Sequence, residues 1–409
     1  MERNVPKLRF KGFNDEWKLS NLKKLCDINP KSKQLPDKFV YIDLESIIDG
    51  VLIKKNIIEL KDAPSRAQRL LNVGDVLFQT VRPYQMNNYL FEYELNYKSV
   101  ASTGYAQLRC KSCISNNKFI YQALHNKKFN NKVMLRCTGT SYPAINSSEL
   151  VTIPLRIPSL QEQERIANFL TKVDKIIEKQ DEKVKNLEKY KKGMMQKIFS
   201  QEIRFKDENG EKYPEWKNKN LGELGETYTG LSGKTKENFG VGTSKFITYM
   251  NIFRNIKVNF SMLDLVEVGE NEKQNKVIKN DLLFTTSSET PEEVGMVSVC
   301  TENIENLYLN SFCFGFRIND KESVNSEFMS YLLRSPENRL KISTLAQGST
   351  RYNLSKSELM KMKIKIPCIE EQNSIVKLLS NIDCISINEQ EKLLELKQWK
   401  RGLLQQMFV

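Results

Sequence analysis

Apolar residues fall in short runs through the first part of the chain. Residues 39–42, 51–53, 76–81 and 106–109 are β-branched or aromatic and bounded by Gly, Pro, Asp or Asn, which predicts strands. The same kind of run returns at 245–250, 281–286, 296–300 and 312–318. Each set is followed by one helix-like stretch, 117–125 and 326–333, with Ser326 as expected N-cap and Pro336 soon after the end. Mixed α/β domains (α+β) with a strongly non-parallel sheet are therefore expected.

Two further stretches have a different period. After Pro158 and after Pro367, apolar residues recur about every seven positions, with Lys and Glu on the other faces. The first seam carries Ile166, Phe169, Val173, Ile176, Leu187, Tyr190, Met194 and Ile198. The second carries Ile375, Leu378, Ile382, Ile385, Leu396, Trp399, Leu403 and Met407. Such seams predict long helices that pair as a coiled coil. At 1.5 Å per residue each helix would run roughly 57 Å. Gln180 and Glu389 interrupt the two seams.

The two helices are copies. Residues 137–199 align with 346–408 at a constant shift and without a gap, with 19 of 63 positions identical. Gly139 meets Gly348, Ser148-Glu149-Leu150 meets Ser357-Glu358-Leu359, and Ile157-Pro158 meets Ile366-Pro367. Glu162-Gln163 meets Glu371-Gln372, and Asp174 meets Asp383. The starts also match, Leu8-Arg9-Phe10 with Ile203-Arg204-Phe205 and Glu16-Trp17 with Glu215-Trp216, and Asp75-Val76-Leu77-Phe78 matches Asp281-Leu282-Leu283-Phe284. A repeat of this length predicts two domains of one fold. The boundaries expected are 1–160 for the first domain, 161–200 for its helix, 201–369 for the second domain and 370–409 for the second helix. Scaffold positions agree while the intervening loops diverge, which suits two domains facing different targets.

Charge then narrows the partner. Lys and Arg outnumber Asp and Glu by 63 to 50, a formal net charge of +13, which favours a polyanion. No apolar run is long enough to span a bilayer and the first ten residues lack an apolar core, so a cytoplasmic location is expected. The eight scattered cysteines read as reduced thiols.

Catalytic chemistry finds little to rest on. The single histidine, His125, lies in only one copy. Cys110 and Cys113 form a lone C-x-x-C without the further ligands that structural zinc needs. Gly233-Lys234-Thr235 resembles the end of a phosphate-binding loop, but Tyr228 stands where its first glycine belongs. Asp49, Glu59 and Lys61 loosely resemble a metal-nuclease set that the second copy lacks. Binding without chemistry is the expected role, against a scaffold protein or an enzyme using that carboxylate set.

Base reading needs polar side chains on a rigid platform, and each copy offers two such loops. In the first copy these are Gln79-Thr80-Val81-Arg82-Pro83-Tyr84-Gln85 and Thr138-Gly139-Thr140-Ser141-Tyr142-Pro143. In the second they are Thr285-Thr286-Ser287-Ser288-Glu289-Thr290 and Gln347-Gly348-Ser349-Thr350-Arg351-Tyr352-Asn353. The expected DNA contacts are Arg82, Tyr84, Gln85, Thr140, Ser141, Tyr142, Ser287, Ser288, Ser349, Thr350, Arg351, Tyr352 and Asn353. The glycines are expected to let the backbone approach a partner closely.

This order of domain, long helix, domain, long helix, with Leu/Ile-Arg-Phe and Glu-Trp at each start and Ser-Glu-Leu, Ile-Pro and Glu-Gln before each helix, closely resembles the specificity subunit of type I restriction–modification enzymes. The resemblance covers essentially the whole chain. It implies two target recognition domains reading a split, non-palindromic site in double-stranded DNA. The helices would pair antiparallel with pseudo-twofold symmetry, set the half-site spacing and dock two methyltransferase subunits. Ile166, Val173, Leu187, Tyr190, Ile375, Ile382, Leu396 and Trp399 are the docking residues expected. Restriction subunits would complete the enzyme. S-adenosylmethionine, ATP and magnesium would belong to the partner subunits, with no catalytic residue and no metal in this chain.

Overall fold

A computed structural model describes residues 4–32 and 34–409. The chain forms two compact units. One runs to Glu182 and takes in Gln390–Val409; the other is Lys183–Glu389. Each long helix, Leu160–Phe199 and Ile369–Met407, therefore contributes residues to both units.

In the first unit, Lys18–Asn21 pairs antiparallel with Pro154–Ile157 and ties the start of the domain to the stretch that enters its helix. Two four-stranded sheets follow. One has the order Asn56–Glu59, Lys38–Ile42, Ser99–Ser102, Ala67–Leu70. The other has the order Cys26–Ile28, Tyr105–Cys110, Val76–Gln79, Tyr89–Leu90. All pairs are antiparallel except Lys38–Ile42 with Ser99–Ser102, so the expectation of non-parallel sheets holds.

The second unit repeats this plan. Lys217–Asn220 pairs with Lys363–Ile366. One sheet is ordered Gly225–Thr229, Cys313–Ile318, Leu282–Thr285, Val297–Val299. The other is ordered Leu263–Val266, Phe239–Ile247, Leu307–Leu309, again with one parallel pair.

Two local readings need correction. Met250, expected at the end of a strand, lies in the helix Tyr249–Arg254, because the Thr248 side chain accepts from the Asn251 N–H and caps a new helix. The cap of Ser326–Leu333 is Asn325, whose side chain accepts from the Glu327 and Phe328 N–H groups. Pro336 lies just past the end of that helix, as expected, and opens a further helix, Pro336–Thr344, where a missing N–H costs nothing.

Each unit has a core where its sheet, its short helices and both long helices meet. In the first, Trp17, Phe119 and Phe408 pack edge-on or tilted at 5.2 to 6.2 Å. In the second, the repeat-related Trp216, Phe328 and Phe199 do the same at 5.9 to 6.5 Å. Phe408 and Phe199 each come from the far end of the helix that follows the other domain. Within the second unit the helices run antiparallel, since Lys183 pairs with Glu389 and Lys191 with Asp383. The first unit has the equivalent pair, Lys400 with Asp174 at 2.6 Å.

The sequence motifs shared by the copies hold this scaffold. Glu162 is buried and receives Arg9 through two bonds of 2.8 Å and the Trp17 indole N–H at 3.3 Å. Glu371 receives Arg204 at 3.0 and 2.8 Å and the Trp216 indole at 3.1 Å. Charge-assisted bidentate pairs of this kind satisfy a carboxylate that burial would otherwise penalise. Gln163 and Gln372 lie buried beside them. Each accepts from a helix-capping asparagine N–H, of Asn116 or Asn325, and donates to two loop carbonyls.

Candidate nucleic-acid interface

The strand carrying Asp-x-Leu-Phe ends in the first polar loop of each unit, and its start is pinned. Asp75 is buried and accepts from Arg109 twice at 2.8 Å, from Gln107 at 2.7 Å and from the Asn72 N–H at 2.7 Å. Asp281 accepts from Arg317 at 2.9 and 2.7 Å, from the Tyr228 hydroxyl at 2.6 Å and from the Ile278 N–H at 3.0 Å. Hydrogen bonding to the carboxylate raises the pKa of both arginines above the usual guanidinium value, so these two cations are neutralised by the scaffold.

Far apart in sequence, the two polar loops meet in space. In the first unit Val81 and Thr138 both bridge to Ala144, the Arg82 N–H donates to Pro143 O at 2.7 Å, and the Ile145 N–H donates to Thr80 O. In the second, Ser287–Ser288, Tyr352–Leu354 and Ala346–Gln347 form a three-stranded ribbon, and the Leu354 N–H donates to Thr286 O. These pairings are equivalent under the repeat. A single polar surface thus gathers Arg82, Tyr84, Gln85, Thr140, Ser141 and Tyr142 in one unit. Its counterpart gathers Ser287, Ser288, Ser349, Thr350, Arg351, Tyr352 and Asn353. Ser287 and Ser288 are buried by the ribbon, which leaves the exposed Glu289, Arg351 and Asn353 to face outward beside them.

The first loop is tied down by hydrogen bonds in both units. Gln79 is buried, donates to Val81 O and to the Gln85 side chain at 2.8 Å, and accepts from the Asn87 N–H. In the second unit Arg339 plays this part, donating to the carbonyls of Glu292, Val294 and Gly295. Burial pushes its pKa down to about 10.

The glycines of the two loops are fixed by the loops themselves. Gly348 has φ +134°, and a Cβ there would stand 2.1 Å from Arg351 O; at Gly139 the corresponding contact is 3.1 Å from Tyr142 O. The loop's own turn already requires a glycine at both places.

A recess of about 410 Å³ opens beside the second surface, lined by Tyr249, Phe253, Phe312, Ser287, Ser288 and Arg351. Tyr249 and Phe253 stack at 5.9 Å, and the Tyr249 hydroxyl donates to Ser287 O at 2.7 Å. Sequence reading missed these aromatics. Their four-residue spacing behind the Thr248 cap was the available signal.

The helix residues expected to dock partners divide. Ile166, Val173, Ile375 and Ile382 are buried in the cores of their own units, which removes them as a docking surface. Leu187 and Leu396 are partly covered. Tyr190 and Trp399 remain about half exposed, and so do Ile176 and Ile385. By the antiparallel register, Ile176 lies near the level of Trp399 in one unit and Tyr190 near Ile385 in the other. Each unit therefore shows an isoleucine and an aromatic residue at equivalent places on its helix pair.

The remaining sequence candidates are accounted for locally. The half-buried His125 imidazole contacts Tyr121 O at 2.8 Å, and burial, reinforced by the charge of Lys400, lowers its pKa to about 4. Cys110 lies 3.5 Å from Cys26, sulfur to sulfur, while Cys113 is exposed. Lys234 pairs with Glu272, and Thr235 caps a single turn. Glu59 and Lys61 pair with each other at the surface, and Asp49 occupies the turn of a separate hairpin. No helix among the described residues is long and apolar enough to cross a membrane.

Comparison with known proteins bears directly on this arrangement. The family model of the type I restriction modification DNA specificity domain matches residues 14–189 and again 213–398. The specificity subunit of the type I restriction enzyme MjaVIII of Methanocaldococcus jannaschii is 24% identical over 377 residues, covering 88% of this chain and 83% of that protein. The putative MjaX specificity subunit of the same organism is 27% identical, covering 96% and 92%. Among solved structures, a type I restriction–modification S subunit from M. genitalium superposes with a TM-score of 0.58 at 16% identity, covering 99% of each chain. A chain of another type I system gives 0.59 at 21% identity, covering 97% and 98%.

Proposed function

The chain belongs to the family of type I restriction–modification specificity subunits, with two tandem DNA specificity domains, and from that premise we propose that its two units read the two halves of a split, non-palindromic DNA site. The observation that carries this reading is the surface built twice from two polar loops. The backbone frame is the same in both units: a strand pinned by a buried aspartate and a backbone pairing that joins the loops. The side chains presented are not the same. Equal frames with unequal side chains suit two half-sites of different sequence, because base identity is read by the side chains that reach the groove edges.

Specificity subunits are non-catalytic components of type I systems. The paired helices set the gap between half-sites and hold two modification subunits. The half-exposed Ile176 and Trp399 in one unit, and Tyr190 and Ile385 in the other, are the contacts we assign to them. Restriction subunits complete the assembly. The methyl donor, ATP and magnesium belong to those partner subunits.

The test is co-expression with the modification subunit encoded beside this chain, followed by mapping of methylated adenines in the host DNA. A split, non-palindromic motif that disappears when the chain is omitted is expected. An assembled complex, active with another specificity chain but adding no new methylation with this one, would favour a scaffold role.

A further inference from the structure

On the first unit's surface, Arg82 is held by an aromatic ring and by a fixed backbone turn. Its guanidinium lies over the Tyr142 ring at 4.3 Å from the centroid, and Tyr142 is itself largely exposed. The Arg82 backbone sits in the left-handed region at φ 54°, and Met86 does so at 52°. Bonds from Arg82 N–H to Pro143 O, from Gln85 N–H to Arg82 O and from Met86 N–H to Pro83 O fix that shape. The buried Gln79 ties the loop down from beneath.

The charge of this arginine is uncommitted. Residues 79–88 and 138–144 contain no Asp or Glu, and no carboxylate among the described residues pairs with Arg82. Arg109 and Arg317, by contrast, are held by buried aspartates. An aromatic ring under the guanidinium restrains the fork without occupying its N–H donors. A fixed planar fork matches two coplanar acceptors side by side, and on a base edge in the major groove guanine O6 and N7 form that pair.

We propose that Arg82, oriented by Tyr142, reads a guanine in the half-site bound by the first unit; this rests on the reading of the chain as a DNA specificity subunit. The second unit cannot read its half-site in the same way. Arg351 stands at the repeat position of Tyr142, and the loop that would supply the arginine carries Glu289, Glu292 and Glu293 instead. This arginine–tyrosine pair therefore belongs to one half-site only. Tyr142 is a positioning residue, acting through its ring contact with the Arg82 guanidinium.

The experiment maps the methylated motif produced by the full complex carrying wild type, R82A, R82K, Y142A or Y142F. In the wild type, one half-site is expected to hold an invariant guanine. R82A should open that one position to other bases, with discrimination falling roughly 5- to 150-fold, the range expected for loss of one bidentate base contact. R82K keeps the charge but not the fork and should relax the same position. Y142A should behave like R82K, whereas Y142F keeps the ring and should preserve the motif. The other half-site should be unchanged throughout.

An unchanged motif in R82A, with the complex assembled, would overturn the inference while leaving the specificity role intact. So would uniformly weaker binding with a shallower salt dependence, which would mark Arg82 as a phosphate contact. Absence of any split motif in the wild type would overturn the specificity reading and this inference with it.

Discussion

At Glu371, a carboxylate with no solvent exposure is held by one arginine and one indole. Removing Arg204 would leave that charge buried with the Trp216 N–H alone. R204A is expected to cost about 3–5 kcal/mol, the range for breaking one side of a buried pair, and denaturant unfolding of the second unit would read it. His125 makes a prediction in pH. Its folded pKa of about 4 lies below the ordinary value of 6.5, so the unfolded chain binds the proton more readily. Stability is then complete above about pH 6.5, falls as pH drops toward 4, and levels below it, by at most about 3 kcal/mol. Replacing His125 with Gln should flatten that part of the stability curve, measured by thermal unfolding between pH 4 and 7. An unchanged slope would place the acid sensitivity elsewhere.

Among the elements, the two polar loops are joined, so changes in one should reach the other. Exchanging residues 139–143 for 348–352 replaces Tyr142 with Arg351 and alters the turn that receives the Arg82 N–H. The methylation motif is expected to change in the first half-site alone. Gly348→Ala puts a Cβ against Arg351 O in a conformation that L residues rarely adopt. It should weaken recognition of the second half-site more than it lowers the unfolding midpoint. A motif that survives both changes would remove these loops from the reading surface.

Across the whole molecule, the consequence of sharing helices is clearest at the C-terminus. Truncation after Leu345 would delete the second helix, and with it Leu403, Leu404, Met407 and Phe408 from the core of the first unit. The loss is thus not confined to a docking surface. Limited proteolysis of the truncated chain is expected to open the first unit as well as the second, because its aromatic cluster around Trp17 and Phe119 loses Phe408. A protease-resistant first unit in the truncated chain would contradict that dependence.

What the sequence determined by itself was whatever depends on local periodicity or on direct comparison of the copies. The long helices are legible because a heptad seam repeats through them, and the strands flanking each reading loop are legible because turn residues bound them. The two-domain plan is legible because Glu162, Gln163 and Asp174 have unmistakable counterparts in Glu371, Gln372 and Asp383. Tertiary structure decided what depends on contacts between distant segments. Periodicity shows that Ile166 and Ile176 are apolar but not which of them the domain covers; packing buries the first and leaves the second exposed. Nor does anything local to Arg82 announce that Tyr142 lies beneath it. That contact follows from the backbone pairing of two loops more than fifty residues apart, whose register depends on how the strands and helices around them pack.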